Sequence, residues 1–354
     1  MARAELRALV TINPSDRPWQ MPLAAAIASG APMLIAAQFG LMAQGVIASI
    51  GGLAFLYLPR TPLHHRMVTM MACSFGMICC YALGIVSHVL PMAQMPMLTL
   101  VALLVTLVCR YYRLSAPGPL FFIMAAAIGA YAPAQLADLP VRIGLMALGS
   151  ILASAVAFLY SLHILRRFEP MPIPPAPVAT FDYVWFDSIL VGLCVGIALA
   201  IAELLQLEKP YWVAVSCLAI LQGVSLRAAW SRQVHRIVGT TIGLMLTWGL
   251  LAVTHGAWPI ALAITVLTFC IETAVVRHYG FATIFITPLT ILLAEAPTLG
   301  HGDTAALIEA RFIDTLLGAF IGFLGAFALH NQTFRARLAP LLRALIPDRF
   351  IHEG

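Results

Sequence analysis

Charge is what this sequence has least of. Aspartate, glutamate, lysine and arginine together make up 10% of its 354 residues, against about 25% in an ordinary soluble domain. A chain so poor in charge cannot clothe a water-soluble fold of this length. The short motifs of catalysis are missing as well. There is no G-x-x-x-x-G-K-[ST] loop to hold nucleotide phosphates, no H-E-x-x-H pair to hold zinc, and no G-x-S-x-G elbow to present a serine. None of the seven cysteines forms a C-x-x-C pair, and no histidine or carboxylate stands beside them at metal-ligand spacing. They read as small apolar packing residues. No catalytic residue, cofactor, metal or nucleic-acid partner is expected. A cleavable signal peptide is not expected either, because Arg3, Arg7 and Arg17 precede a first apolar run with no small-residue cleavage site.

What fills the chain instead is apolar sequence, 61% of it hydrophobic, with a mean hydropathy of +0.94. A helix must run for roughly 20 apolar residues to cross a hydrocarbon core of about 30 Å. Backbone polar groups cannot go unpaired in lipid, so such runs must be helical. The expected fold is an all-α polytopic membrane protein. Reading apolar runs between charges and Pro/Gly breaks gives about twelve transmembrane helices, at 22–39, 42–58, 67–90, 95–109, 119–135, 141–163, 185–205, 211–226, 236–254, 258–276, 281–295 and 310–330. The runs near 95–109, 211–226 and 281–295 are short for a full crossing.

The basic residues give an orientation. With a cytoplasmic N-terminus and twelve crossings, 17 of the 20 lysines and arginines fall on the cytoplasmic side, and only Arg142, Lys209 and Arg311 fall elsewhere. That is the bias expected of an inner-membrane protein, here with both termini in the cytoplasm.

The segment "RRFEPMPIPPAPVATFDYV" is too rich in proline for a continuous helix. It divides the chain into a cytoplasmic N-terminal segment (1–21), a first six-helix block (22–165), the linker (166–184), a second six-helix block (185–330) and a cytoplasmic tail (331–354). The blocks resemble each other at offsets of 167 to 170 residues, with "RTPLHHR" against "RAAWSRQVHR", "CRYYR" against "VRHYG" and "RIGLMALG" against "RFIDTLLG". Two six-helix repeats are therefore expected. Within the second block, Arg236, Gly239, Thr240 and Gly243 spell R-x-x-G-T-x-x-G, and Arg311, Asp314, Thr315 and Gly318 spell R-x-x-D-T-x-x-G 75 residues later. The two copies enter the membrane from opposite sides, so an inverted three-helix repeat inside each block is a second expectation.

Charges within spans are costly and mark functional positions. Asp314, Arg311 and Thr315 lie near one face of the last span, and Glu272 lies inside the tenth. Arg236 and Thr240 open the ninth. These six form the expected transport path. The bland alternatives are an interfacial i,i+3 pair for Arg311 and Asp314 and an interfacial position for Glu272. "LEKPYWVAV" places Lys209, Tyr211 and Trp212 at the outer start of the eighth span, where they form either an interfacial aromatic belt or a cationic, aromatic mouth for a planar anion.

The stretch "KPYWVAVSCLAILQGVSLRAAWSRQVHRIVGTTIG" resembles the fusaric-acid-resistance-like family, the aromatic acid exporters, and "RFIDTLLGAFIG" is similar to that family's final helix. The likeness covers about 185–330. The first block carries a worn motif in which Arg66 stands but Thr69 and Met70 replace Gly-Thr. The resemblance implies an inner-membrane efflux protein for small organic, often aromatic, carboxylic acids, driven by the proton gradient and in some relatives working with a periplasmic adaptor protein. Many members carry a sizeable cytoplasmic domain, where this chain has only the linker and the tail, whose leucines and arginines suit a short interfacial helix. A homodimer is the expected self-association. Two readings from other classes stand beside the exporter: an anion channel, as in the related plant malate channels, and a structural membrane protein with no solute path.

Overall fold

The structure is a computed structural model that describes residues 11–133, 135–173, 181–298 and 304–343. Arg3, Arg7, Arg349, the middle of the linker and the end of the tail lie outside the described residues. The described chain is helical, with no strand. Helices α1 (Gln20–Phe39), α2 (Met42–Gly52), α3 (Leu63–Val86), α4 (Gln94–Tyr111), α5 (Leu120–Tyr131) and α6 (Leu139–Ile164) precede the linker. Helices α7 (Asp187–Leu204), α8 (Pro210–Leu221), α9 (Leu226–Leu251), α10 (Ala257–Ala274), α11 (Tyr279–Glu295) and α12 (Thr304–His330) follow it, and α13 (Gln332–Arg343) closes the described tail.

Among the described residues, eight helices are long and apolar enough to cross a membrane, and four apolar ones, α2, α5, α8 and α11, are shorter. At about 1.5 Å of rise per residue, the 12 residues of α8 reach little more than half of a hydrocarbon core. The expectation of short runs at 211–226 and 281–295 holds. The run at 95–109 does not belong with them, because α4 with its leading 3₁₀ turn extends over Pro91–Tyr111, 21 residues. Two other helices are short instead, and proline is the cause in both. α5 stops where Ala132 turns extended (ψ 137°) ahead of Pro133. α2 tightens into a 3₁₀ turn, Leu53–Tyr57, and ends at Leu58, extended ahead of Pro59. The short helices thus come second, fifth, eighth and eleventh in chain order.

The helices collect into two compact units. One comprises Met1–Ile78, Ala137–Ile173 and Val234–Ile313, the other Cys79–Leu136, Pro174–Gln233 and Asp314–Gly354. Each unit draws on both sides of the linker. In the first, α1 runs along α10 and packs on α2, α2 packs on α6, and α10 packs on α11. In the second, α4 runs along α7, while α8 packs on both α7 and α5.

Two close crossings, one in each unit, are built alike. A methyl group added to Gly30 of α1 would strike Thr265 of α10, and one added to Gly196 of α7 would strike Thr99 of α4. Gly30 and Gly196 are 166 residues apart, as are Thr99 and Thr265. With no hydrophobic force to drive helices together in lipid, close approach through small residues supplies the packing.

Polarity runs inside out, as a lipid solvent requires. Along α12 the outward residues are Ile313, Phe320, Leu324 and Phe327, while Arg311, Asp314, Thr315, Gly318, Gly322 and Gly325 face inward.

Candidate functional site

The R-x-x-G-T-x-x-G motif occupies one face of α9. Arg236, Gly239, Thr240, Gly243 and Thr247 are all buried, and Val238, Ile242, Met245 and Trp248 point outward. The two glycines let α11 approach. A Cβ on Gly239 would lie 2.8 Å from the Gly280 carbonyl and would strike Thr283, and one on Gly243 would lie 2.7 Å from the Ile284 carbonyl. The Thr283 hydroxyl lies within donating distance of the His235 carbonyl at 2.9 Å and of the Gly280 carbonyl at 2.7 Å. The motif's glycines and the α11 threonines therefore form a packed, hydrogen-bonded seam, and Arg236 and Thr240 are carried on its buried face.

The glycines of α12 act in the same way. Gly318 and Gly322 admit α8 at Val213 and Cys217, and Gly325 admits Cys194 of α7. What approaches the small-residue stripe is a pair of helices. Asp314 is 0% and Thr315 1% exposed, one turn from these glycines. Arg311, 1% exposed, is among the largest fully buried side chains.

Glu272 of α10 is 7% exposed, and its carboxylate accepts from Arg17 Nη1 at 3.2 Å. Arg17 belongs to the stretch of chain ahead of α1, which is tied down at two further points. Asp16 takes both terminal nitrogens of Arg60 at 2.7 and 3.3 Å, and the Asn13 amide donates to the Arg277 carbonyl at 2.9 Å. The Arg60 hydrogen bond and charge hold the exposed Asp16 carboxyl below its ordinary value.

The expected residues fall into both units: Arg236, Thr240, Glu272 and Arg311 in the first, and Asp314, Thr315, Lys209, Tyr211 and Trp212 in the second. At the expected mouth, Trp212 is buried, 4% exposed, in an edge-on contact with Tyr211 at 5.7 Å between ring centroids. Lys209 and Tyr211 are half-buried at the start of α8.

Three polar arrangements were not anticipated. Arg66 is 5% exposed and donates from Nε to the Thr61 carbonyl at 2.6 Å and from Nη1 to the Ser161 hydroxyl at 3.3 Å. Its offset of 170 residues from Arg236 was the available signal. Asp187, at the first turn of α7, accepts from Arg110 at 2.7 Å and Arg335 at 2.6 Å, and these guanidinium groups lie over the rings of Tyr183 and Phe186. Tyr131 donates its hydroxyl to Glu203. Nothing local in the sequence marks the last two, because their partners lie 72 to 148 residues apart. No cluster of three metal-ligating side chains occurs among the described residues.

The sequence profile of the family described as "Fusaric acid resistance protein-like" matches residues 197–325, which run from within α7 into α12. Similar curated proteins carry no assigned activity. An uncharacterized membrane protein, YvaC, of Bacillus subtilis (strain 168) is 30% identical over 167 residues, 46% of this chain and 26% of that protein. An uncharacterized protein of Haemophilus influenzae is 34% identical over 140 residues, 38% of this chain and 18% of that one. The uncharacterized protein ORF2 of Neisseria gonorrhoeae is 31% identical over 144 residues, 40% of this chain and 33% of that one. The chain thus spans between 18% and 33% of the length of these relatives. No solved structure matches. Residues 197–325, which hold the buried glycine–threonine seam and the Arg311–Thr315 turn, are the part of this membrane protein that is similar to the fusaric acid resistance protein-like family.

Proposed function

We propose that this protein exports small organic carboxylic acids, aromatic ones in particular, across the bacterial inner membrane in exchange for protons. The observation that carries the reading is the burial of ionisable groups within apolar spans, foremost Asp314 at 0% and Arg311 at 1% exposure. Such groups are retained in membrane helices chiefly where they line a solute or proton pathway. A carrier of carboxylates requires a basic group for the anion and an acid that changes protonation. Arg236 and Arg311 supply the first role, Asp314 and Glu272 the second, and Thr240 and Thr315 offer hydroxyls beside them. Lys209, Tyr211 and Trp212 receive the anion at the outer end. No catalytic step belongs to this reading. A homodimer and, through the family, a periplasmic adaptor protein are its protein partners.

The same reading takes the chain to be a duplicated six-helix unit, each copy two inverted halves, with both termini in the cytoplasm. It is supported by the recurrence of a short helix in the middle of every three, and by the matching Gly30–Thr265 and Gly196–Thr99 crossings. Broken or half-length helices meeting near mid-membrane are a common way of building transporter sites.

The test is flux of 4-hydroxybenzoate in proteoliposomes, comparing an imposed pH gradient with an imposed voltage. Uphill accumulation driven by the pH gradient, above protein-free vesicles, is expected. Voltage-dependent flux that runs only downhill overturns the carrier in favour of a channel. Absence of flux in both conditions, for a panel of aromatic and aliphatic acids, favours the structural role.

A further inference from the structure

The chain reaches α1 through a strap without regular secondary structure, residues 13–17, in the first unit. Asn13, Asp16 and Arg17 are each tied to a different element. The Asn13 amide donates to the Arg277 carbonyl, in the turn between α10 and α11, at 2.9 Å. Asp16 accepts from the Arg60 guanidinium, ahead of α3, at 2.7 Å, and Arg17 reaches Glu272 of α10 at 3.2 Å. Arg60 is itself a fixed post, because its carbonyl accepts the Met171 amide at 2.8 Å. All of these residues belong to the same unit.

These ties are polar, and the strap buries little. Asn13, Pro14 and Asp16 are exposed, and the Asp16 and Arg60 side chains keep 81% and 43% of their surface. A segment held by a few polar contacts within reach of solvent opens at low cost. Its inner end is different. Glu272 is buried, and Arg17 is its hydrogen-bond partner among the described residues. The strap thus lays an arginine over an enclosed carboxylate. The other titratable groups at this end are Cys270 on α10, Arg277, His278 and Tyr279 leading into α11, and His235 and Arg236 of α9. The His235 ring lies 4.5 Å from that of His278, and α1, which runs along α10, carries no titratable side chain. Among the described residues, Arg17 is the cation within ion-pair distance of Glu272.

We propose that residues 13–17 are a lid on Glu272, latched by Arg17, and that proton uptake by Glu272 releases the latch and opens the carboxyl to water. A neutral carboxyl no longer holds the guanidinium by charge. The ties that remain are an exposed ion pair and one backbone hydrogen bond, both weak in water. When the proton leaves, the carboxylate draws Arg17 back. Arg17 acts through Glu272 as a positioning residue, and the lid couples the charge of that acid to the access of solvent. Its bearing on transport rests on the reading of Glu272 as an acid of the path, whereas the lid itself is observable without any flux.

Hydrogen–deuterium exchange of the full chain in detergent, followed in the peptide spanning residues 11–19, tests the latch. Glu272→Gln, which mimics the protonated acid, and Arg17→Gln are each expected to speed exchange there by about tenfold or more, with α10 little changed. Arg17→Lys keeps the charge and is expected to restore slow exchange. The second readout is addition of glycinamide to Glu272 by a water-soluble carbodiimide, followed by peptide mass. Asp16→Asn leaves Arg17 and Glu272 in place and loosens the strap at its other tie. It is expected to raise the initial rate at Glu272 by about two- to fivefold. Strap exchange that stays slow in Glu272→Gln overturns the proposal. So does a rate at Glu272 that rises in Arg17→Gln but not in Asp16→Asn, which would mean a bare ion pair with no lid. Both readouts stand whether or not 4-hydroxybenzoate is carried, so failure of the lid and failure of the transport reading are told apart.

Discussion

Arg17 and Glu272, 255 positions apart in the chain, form an ion pair of 3.2 Å at the end of the first unit. The two side chains are unequally buried, 24% exposed for Arg17 and 10% for Glu272. Glu272→Gln releases an arginine that has some access to solvent. Arg17→Gln strands a carboxylate that has little. Breaking a buried pair from one side costs about 3–5 kcal/mol, and the partial exposure of Arg17 puts these variants toward the low end. Thermal unfolding in detergent is expected to rank Arg17→Gln below Glu272→Gln, with the double variant recovering part of the loss. Equal losses in the two single variants count against the pairing.

Gly243 and Gly249 lie on one helix and offer a contrast of sign. An alanine methyl at 243 would meet the Ile284 carbonyl at 2.7 Å, whereas nothing lies within 4 Å at 249. Overpacking of this kind costs about 1–3 kcal/mol. Alanine in place of glycine in an open helical position favours the helix by up to about 1 kcal/mol. Gly243→Ala should therefore lower the unfolding temperature and Gly249→Ala should raise it or leave it unchanged. Matching shifts would remove the α9–α11 seam as the explanation of the motif's glycines.

The strap ahead of α1 should respond to acid. Asp16 has its carboxyl held below the ordinary 3.8 by the Arg60 hydrogen bond and charge. A depressed value in the folded state means that the contribution is present above the unfolded value and fades as pH falls through the folded one. The difference in stability between the native chain and Asp16→Asn should thus be constant near neutrality and vanish as pH falls below about 4. A difference that persists at lower pH would mean that Asp16 acts through something other than its charge.

Asp187 gathers Arg110 and Arg335 onto one carboxylate, and Arg335 lies in α13. With Asp187→Asn the two guanidinium groups lose their shared anion, and α13 loses its charged tether to the start of α7. Trypsin should then cut at Arg335 and Arg337 several-fold faster, with the rest of the chain as resistant as before. An unchanged cleavage rate would show that α13 is held by other contacts.

Asp314→Asn keeps the shape of a fully buried side chain and removes its ability to lose a proton. On the exporter reading it abolishes flux driven by a pH gradient while the protein still reaches the membrane in normal amount. Normal gradient-driven flux in this variant would take Asp314 out of the mechanism.

How far the sequence speaks for itself differs from residue to residue. Hydropathy is a local property, so the all-helical class and the approximate place of each apolar helix were legible, as were the buried faces Arg236–Gly239–Thr240–Gly243 and Arg311–Asp314–Thr315–Gly318, whose 3–4 residue spacing is that of one helical turn. The prolines at 59 and 133 were visible too, but their effect on the lengths of α2 and α5 appeared only once the preceding residues were placed in extended conformation. What no local pattern carries is which helix meets which. The packing of α1 along α10 and of α4 along α7 depends on Gly30 finding Thr265 and Gly196 finding Thr99. The partner of Glu272, the clamp at Asp187 and the bond from Arg66 to Ser161 likewise join residues 77 or more positions apart. In lipid every apolar helix face is equally well solvated, so hydrophobicity selects the helices but not their neighbours. That choice falls to close packing of small residues and to the few buried charges that must find one another, and both are decided only when the chain is folded.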